Sequence, residues 1–260
     1  MCAKRLKTLP SANRPPPVTN PSWLANRLLA ALPSEVLGRI GPALDIVPMK
    51  LKDILHTPGE PIRHVYFPGG GFCSIVTVLE DGSMVEVATI GNEGMVGTSI
   101  MLDDSPPASA SMVQGETQVC FRMTADAFRD EMDQRGAFSQ VLARYAQALH
   151  GFIMQSTACN AVHSVEQRLA RWLLMAHDRM GTDEFPLTQE FAAMMLGATR
   201  PTVTVVAGTL QRAGLITYHR GHVTIIDRGE LEMASCECYR ATTQLLRRAT
   251  DAPRSGVGRR

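Results

Sequence analysis

The residues best suited to contact a ligand lie between residues 199 and 212, where threonines, a proline and an arginine begin an amphipathic helix. Arg200 carries a planar guanidinium that can donate two hydrogen bonds to guanine or to a phosphate. Thr202 and Thr204 offer hydroxyl groups that donate or accept, and their methyl groups, like those of Val205, suit the thymine methyl. Charged helix formers would be expected on a solvated face, so this composition predicts contact with the edges of bases in a DNA groove.

The signals that begin and end helices place these side chains on the second of two short helices. Thr188 is a good N-cap residue, and Glu190 follows in the first turn, where the helix dipole favours an acid. Gly197 supplies a turn that needs a positive φ, and Thr199 can then cap the second helix. Pro201 falls in the first turn, where its missing N–H would have had no partner within the helix. Two short helices joined in this way predict a helix-turn-helix.

The second helix is amphipathic, and a hairpin follows it. Aliphatic residues between 203 and 210 recur at helical spacing and are predicted to face inward. Two β-rich segments then flank residues 219–222, which predicts a wing. Helix N-termini suit phosphates, and the start of a recognition helix meets base edges. The predicted base contacts are Arg200, Thr202, Thr204 and Val205, the predicted phosphate contacts are Thr188, Gln189, Arg212, Arg220 and His222, and Thr199 and Pro201 complete the set at the helix start.

A long amphipathic helix precedes this module. From Phe138 onward its apolar positions alternate steps of four and three residues, which is the spacing of a two-stranded coiled coil. The stripe is narrow, which favours pairing with a second copy of the chain. Packing of the helix on its own domain is the alternative. The predicted dimer contacts are Phe138, Leu142, Tyr145, Leu149, Phe152 and Ser156.

Short β-branched segments alternate with turn signals between about residue 45 and residue 123. The segments 74–79 and 84–89 flank Glu80-Asp81-Gly82-Ser83, which is a hairpin signal built on Asp-Gly. Six to eight short strands with no helix between them predict a sandwich or barrel of jelly-roll type.

The same region argues against catalysis. The triple glycine at 69–71 precedes a predicted strand and not a helix, so it cannot act as a phosphate-binding loop. Glu93 is the only carboxylate of the stretch 90–99, which leaves no acid pair there for general acid–base chemistry. The sequence also contains no nucleophile elbow or metalloprotease signature. We therefore do not expect an enzyme.

Composition bounds the remaining choices. The chain has 260 residues and a formal net charge of +1, so any surface for nucleic acid must be local. No apolar run approaches the roughly 18 residues of a membrane span, so no membrane partner is expected. Six scattered cysteines in a chain of this length are typical of reduced thiols in a cytoplasm. Residues 1–22 contain three successive prolines and are predicted to be a disordered tail.

The order of β-roll, long helix and winged helix-turn-helix resembles the Crp/Fnr superfamily of bacterial transcription regulators. The resemblance covers roughly residues 24–240 and is carried by "HVYFPGGGFCSIVTVLEDGSMVEVATIGNEGMVG" and by "PLTQEFAAMMLGATRPTVTVVAGTLQRAGLITYHRGHVTI". It implies an α+β fold in a homodimer that reads a near-palindromic operator, with RNA polymerase as a further partner. The expected divisions are a tail (1–22), a double-stranded β-helix or jelly-roll sensor domain (23–135), a dimerisation helix (136–164), a winged helix-turn-helix domain (165–240) and a C-terminal tail (241–260).

The chain departs from this family at the positions that hold cyclic AMP. Where the resemblance implies a Gly-Glu pair for the ribose and an Arg-Ser pair for the phosphate, this sequence has Gly97-Thr98 and Ala108-Ser109. Ile153 and Met154 stand where the family's long helix contacts adenine with threonine and serine. We therefore expect no cyclic AMP and no other identified cofactor, and an unknown effector or none in a pocket formed by Gly97, Thr98, Ser109, Ile153 and Met154.

The recognition helix departs from the family as well. The common pattern has Arg-Glu at the helix start and a second arginine four residues later, whereas this chain has Arg200, Pro201 and Val205. The acidic residue that would accept a hydrogen bond from cytosine is replaced by Pro201, and the second arginine is replaced by the aliphatic Val205. We therefore expect an operator half-site that differs from the usual one.

The cysteines and histidines bear on what the protein could sense. The tail offers only Cys2, which argues against an iron–sulfur sensor. Haem or redox-thiol sensing stays open, with His150 and His163 or Cys73, Cys120 and Cys159 as candidate residues. Cys236 and Cys238, with His219 and His222, have the residue types of a zinc site. If residues 228–240 form one helix, however, the two sulfurs point in different directions, so no metal site is expected. The alternative function is a ligand or redox sensor whose winged domain contacts protein and not DNA.

Overall fold

The computed structural model describes residues 23–251. The predicted tail at 1–22 and residues 252–260 lie outside the described residues. A 3-10 turn at Trp23–Ala25 begins the described chain, and two short helices follow, α1 (Arg27–Ala30) and α2 (Ser34–Ile40). The buried side chain of Asn26 caps α1, and its amide donates to the carbonyls of Pro68 and Gly94, both at 2.9 Å. These bonds attach the N-terminal helices to the β-domain that follows.

Seven strands form the predicted β-roll as two antiparallel sheets, ordered β1-β7-β3 and β2-β6-β4-β5. The predicted Asp-Gly hairpin is confirmed, because β4 and β5 pair on either side of a turn in which Gly82 has a φ of +81°. The roll therefore has the jelly-roll character expected from its turn spacing. The strands are β1 (Leu44–Met49), β2 (Ile54–His56), β3 (His64–Pro68), β4 (Phe72–Val78), β5 (Met84–Ile90), β6 (Ala110–Gly115) and β7 (Thr117–Thr124).

Two helices follow the roll, α3 (Ala125–Asp133) and the long α4 (Ala137–Val162). The predicted dimer contacts on α4 are buried within the single chain. The ring of Phe138 packs edge-on against Phe128 at a centroid distance of 5.6 Å, and the Tyr145 hydroxyl donates to the Met95 carbonyl at 3.4 Å. The prediction that these residues contact a second copy of the chain is wrong, and the alternative holds, because the apolar stripe packs on the chain's own roll and neighbouring helices. The residues corrected are Phe138, Leu142, Tyr145, Leu149, Phe152 and Ser156, all at most 6% exposed.

The C-terminal part contains a helix-turn-helix between strands of a small sheet ordered β8-β10-β9. The helix α5 (Val165–Met180) begins with a capping box at Ser164 and Gln167 and ends at Gly181 in the left-handed conformation. The elements after it are β8 (Glu184–Pro186), α6 (Gln189–Leu196), α7 (Arg200–Arg212), β9 (Ile216–His219), β10 (His222–Ile225), α8 (Arg228–Ala234) and α9 (Cys238–Thr250).

The expected C-terminal tail at 241–260 is wrong in its first half, because α9 continues to Thr250. This helix is strongly amphipathic and packs against α4. It buries Tyr239, Thr242, Leu246 and Ala249, which recur at helical spacing. The apolar face of α9 thus completes the cover of the long helix. No helix within residues 23–251 has the length and apolar character needed to cross a membrane.

Candidate nucleic-acid interface

Local capping interactions build the helix-turn-helix. The Thr188 hydroxyl accepts a hydrogen bond from the Phe191 backbone N–H at 3.2 Å and so begins α6. Gly197 ends α6 with a φ of +55°, a conformation that glycine adopts without the steric cost of a Cβ. Thr199 then caps α7 through the Thr202 N–H at 3.4 Å. All three residues have the local roles that their types predicted.

The inner face of α7 anchors the helix in the core and leaves the opposite face bare. Val203, Ala207 and Leu210 are at most 2% exposed. On the outer face Val205 is 67% exposed, although it is aliphatic. Pro201, Thr202, Thr204 and Arg212 are exposed beside it. An exposed face of small and aliphatic side chains on a short helix is suited to close approach by a groove.

The first helix supports the second through one side-chain bond. The Thr204 hydroxyl lies 2.7 Å from Gln189 Oε1 and 3.0 Å from the Arg200 carbonyl oxygen. The bond to Gln189 crosses from α7 to the first residue of α6 and fixes the two helix starts relative to each other. Because this bond uses the amide oxygen of Gln189, the amide nitrogen of the same side chain can donate to a phosphate.

The wing lies beside the start of α6. Its tip is a two-residue turn in which Arg220 and Gly221 both have positive φ, at 46° and 79°. The Gly221 carbonyl accepts from the Leu187 N–H at 2.8 Å, and a Cβ at Gly221 would lie 3.6 Å from the Thr188 methyl. The fold therefore brings the predicted phosphate contacts of the wing next to the predicted phosphate contact that caps α6.

The predicted cations of this face are available to an anion. Arg200, Arg220 and His222 are exposed, and Arg212 donates to the Thr209 hydroxyl at 3.1 Å. Among residues 23–251, none of these four forms an ion pair with an acidic side chain. The helix-turn-helix and the wing therefore present three arginines, Arg200, Arg212 and Arg220, that no acidic side chain of the described residues neutralises.

Buried polar contacts join α5 to the β-roll. The Trp172 indole donates to Glu86 Oε1 on β5 at 3.0 Å, and the Ser74 hydroxyl donates to the other oxygen of the same carboxyl. Burial raises the pKa of Glu86 to about 7, although the bonds from Ser74 and Trp172 act in the opposite direction. No pattern in the sequence indicated this link, since Glu86 and Trp172 are 86 positions apart.

A second buried contact lies further along α5. Arg179 donates to Glu93 Oε1 from Nε at 3.0 Å and from Nη2 at 2.6 Å, and both side chains are less than 10% exposed. Burial alone would raise the pKa of Glu93, but the charge and hydrogen bonds of Arg179 outweigh burial and the pKa is lowered. Glu93, the lone carboxylate of its stretch of sequence, is thus the partner of a structural arginine.

The β4–β5 hairpin also contacts the helix-turn-helix. A Cβ at Gly197 would lie 3.5 Å from the Val85 side chain. A cavity of about 730 Å³ separates the hairpin from α6 and is lined by Met84 and Val85 on one side and Phe191 and Met194 on the other. The hairpin therefore packs against the end of α6 at Gly197, beside this cavity.

The structure gives the predicted effector residues different surroundings. Gly97 has a φ of +102°, and a Cβ there would lie 2.9 Å from the ring of His56. His56 is buried and bonds the His64 carbonyl at 2.8 Å, and burial lowers its pKa, which favours the neutral ring. The His56 ring therefore packs directly against Gly97, the residue that the resemblance assigns to the ribose contact.

The other predicted pocket residues lie on the roll and on α4 and differ in burial. Thr98 and Ser109 are half-buried, Ile153 packs on the core, and Met154 is 60% exposed. The cavity between the hairpin and α6 is lined by other residues. A second cavity of about 230 Å³ between α4, α5 and α9 is also lined by other residues. Neither of these two cavities corresponds to the predicted pocket.

The prediction that residues 228–240 form one helix is wrong. The helix α8 ends at Ala234 and α9 begins at Cys238, so Cys236 lies in a break between the helices and Cys238 is the first residue of α9. His219 and His222 remain on the wing. The three cysteines at 159, 236 and 238 form a buried cluster of their own, with His163 beside them. The argument against a shared metal depended on a continuous helix and does not apply to this geometry.

Comparisons with known proteins agree with this architecture. Residues 47–135 match the cyclic nucleotide-binding domain model, and residues 167–234 match the Crp-like helix-turn-helix domain model. A CRP-like cAMP-activated global transcriptional regulator of Mycobacterium tuberculosis is 27% identical over 180 residues, which span 66% of this chain and 80% of that protein.

Solved structures share the fold. A transcriptional regulator of the CRP family from Thermus thermophilus has a TM-score of 0.59 at 21% identity, and the match covers 72% of this chain and 95% of that one. FixK2 from Bradyrhizobium japonicum has a TM-score of 0.57 at 15% identity, covering 74% of this chain and 98% of that one. At these identities the structures establish the fold alone.

Proposed function

The chain belongs to the Crp/Fnr family of DNA-binding transcription regulators, which are not enzymes, and we propose that it acts as a homodimer that reads a near-palindromic operator through α7 without cyclic AMP. The observation that carries this proposal is the outer face of α7. It presents small and aliphatic side chains with an exposed arginine at its start. A short helix anchored by its opposite face and flanked by a wing is the element that enters a major groove.

Base reading is assigned to the first two turns of α7. Arg200 suits a guanine, because its guanidinium can donate to O6 and N7 together. Thr202 and Val205 present methyl groups that suit thymine. Thr204 shares its hydroxyl with Gln189, so we propose that its methyl group and not its hydroxyl faces the groove.

Phosphate contacts are assigned to the surfaces on either side of α7. Thr188 and Gln189 lie at the N-terminus of α6, where exposed N–H groups and the helix dipole favour an anion. Arg220 and His222 extend from the wing that contacts this same helix start, and Arg212 lies at the far end of α7. These contacts would orient the protein on the duplex without selecting a sequence.

Dimerisation is assigned to the face of α4 that the single chain leaves exposed. Six exposed residues on this face alternate steps of four and three: Ala143, Gln147, His150, Met154, Thr157 and Ala161. Met154 is 60% exposed, and the alanines would allow two helices to approach closely. Pairing along this face would place two recognition helices about 34 Å apart, one turn of DNA.

The absence of a response to cyclic AMP is proposed from the β-roll. The phosphate would find Ala108 in place of an arginine, and the His56 ring packs against Gly97, beside the position where the resemblance implies a ribose contact. We propose that an effector, if one exists, is more apolar than a cyclic nucleotide.

The test is selection of bound duplexes from a random library by the full-length protein, in moderate salt and without added ligand. We expect a palindromic site. Arg200→Ala should lose roughly 1–3 kcal/mol at one base position. The matched control is Arg220→Ala, which should weaken binding to all sequences alike. It should also reduce the magnitude of the slope of log affinity against log salt by about 1. A protein that shows no salt-dependent duplex binding, with or without cell extract, would favour a winged domain that contacts protein.

A further inference from the structure

Four side chains that bind metals in other proteins meet where the end of α4 contacts the start of α9. The sulfur atoms of Cys159, Cys236 and Cys238 and a ring nitrogen of His163 all lie within 4.8 Å of one another. Cys159 and His163 are four positions apart, so they share one face at the end of α4. Cys236 and Cys238 flank Glu237 in the break between α8 and α9. The fold thus places a Cys-x-x-x-His pair against a Cys-x-Cys pair.

The distances match a single tetrahedral ion. The Cys159 and Cys236 sulfurs are 3.5 Å apart, and the Cys238 sulfur is 3.6 Å from His163 Nδ1. Two sulfurs on a tetrahedral zinc ion, each about 2.3 Å from the metal, would be separated by ~3.8 Å. An iron–sulfur cluster holds its cysteines around two or more iron atoms and needs a wider opening. The set is therefore sized for a mononuclear site.

The ligand set is buried apart from the main hydrophobic core. Cys159 and Cys238 are fully buried and Cys236 is 4% exposed, and the three form a cluster separate from the main one. The His163 side chain is 14% exposed. Four protein ligands in a closed, buried arrangement are the hallmark of structural and not catalytic zinc sites.

Neighbouring side chains orient the ligands as they do around known metals. His163 Nε2 lies 3.2 Å from a Glu237 carboxylate oxygen, which assigns the ring proton to Nε2. The lone pair of Nδ1 then faces the sulfurs. Gln155 donates from its amide nitrogen to the Cys238 sulfur at 3.1 Å. A carboxylate behind the histidine and an N–H donor to a sulfur are the second layer of contacts that metal sites use.

Two buried arginines on α5 supply compensating charge. Arg168 donates to the Asn160 carbonyl at 3.1 Å, and Arg171 lies 3.5 Å from the Ser156 hydroxyl, both on the last turns of α4. Three thiolates and one divalent ion carry a net charge of about −1, which is costly to bury unless cations lie nearby. The arginines are each 7% exposed, so their charge acts in the same poorly solvated region.

We propose that Cys159, His163, Cys236 and Cys238 bind one zinc ion that fastens α9 to the end of α4. Zinc fits because it accepts thiolate and imidazole ligands in tetrahedral geometry. The ion would join the C-terminal helix to the helix that carries the proposed dimer face. Its binding can be measured without DNA, so the result does not depend on how the operator is read.

The first test measures metal on the full-length, untagged protein, expressed with zinc and purified in a reductant that contains no thiol. We expect about one zinc per chain, and replacement by cobalt should give the visible absorption of a tetrahedral thiolate site. Cys236→Ser and Cys238→Ser should each lose the metal. Cys120→Ala is the matched control, because it removes a buried cysteine of the β-roll and should keep the metal. Metal-free protein with no cobalt spectrum would overturn the proposal, as would a Cys159–Cys236 disulfide in that protein.

The second test avoids variants that fail to fold. Glu237→Gln keeps the size of an exposed side chain while removing the carboxylate behind His163. We expect zinc affinity to fall roughly 10–100-fold in competition with a chelator, with the circular dichroism spectrum unchanged. An unchanged affinity would overturn the assignment of His163 as the fourth ligand.

Discussion

The buried Glu86 carboxyl predicts how the stability of the protein depends on pH. Its pKa in the folded chain is about 7, against an ordinary value of 4.5. The folded state therefore holds a proton that the unfolded state has released between these two pH values. The contribution to stability is complete below pH 4.5 and is lost as the pH rises through 7. At about 1.36 kcal/mol per pH unit, the loss is roughly 3 kcal/mol.

The variant Glu86→Gln isolates this effect. A glutamine keeps an oxygen for the Trp172 indole and can donate its amide to the Ser74 hydroxyl, but it carries no charge at any pH. We expect the variant to match the wild type at about pH 4, below the ordinary pKa of the carboxyl. By pH 8 its free energy of unfolding should exceed that of the wild type by roughly 3 kcal/mol. The difference is measured by urea unfolding of both proteins across this range.

Comparison of the two proteins removes the other titrating groups. Glu93 is the important one, because its lowered pKa gives the opposite dependence, with stability lost as the pH falls. That dependence is common to both proteins and cancels in the difference. A difference that stays flat from pH 5 to pH 8 would refute the reasoning and would mean that Glu86 is charged at no cost in the folded state.

Other contacts predict the effects of three further substitutions. Met154→Glu should produce monomers in sedimentation with an unchanged circular dichroism spectrum, because it puts a charge on the exposed face proposed to pair; a dimer that persists would remove that face from consideration. Arg179→Met should lower the free energy of unfolding by about 3–5 kcal/mol, since it leaves Glu93 buried without its partner, and a loss below about 1 kcal/mol in urea unfolding would contradict that burial. Gly94→Ala should cost about 1–3 kcal/mol, because the added methyl would overlap the Tyr145 hydroxyl, and a midpoint equal to the wild type would show that this packing relaxes freely.

Features that depend on neighbours in the sequence were predictable. Thr188 and Thr199 cap their helices through N–H groups three positions away, and Gly197 adopts the positive φ that its position required. The Asp-Gly hairpin is equally local. For the same reason the exposed face of α7 could be derived from helical spacing alone, since the buried residues on one side determine which residues lie opposite.

Features that depend on distant partners were not predictable from the residues alone. The apolar stripe of α4 showed that one face of the helix is buried. It did not show what buries that face, which is the chain's own roll and α9 instead of a second copy of the chain. The proposed zinc site was missed because the break at Cys236 was not foreseen and because Cys159 is 77 positions away. The Cys159 and His163 spacing on a predicted helix was a usable signal, although it identified only half of a ligand set.

The kinds of element, their order and the exposed face of α7 that we propose for DNA all follow from the amino-acid sequence, because capping, turn chemistry and helical periodicity act over a few residues. What covers α4, what raises the pKa of Glu86 and which residues surround Cys159 follow instead from the folded structure. Those outcomes depend on contacts between residues far apart in the chain, and burial in such contacts is what changes the solvation of a carboxyl or brings two pairs of ligands together.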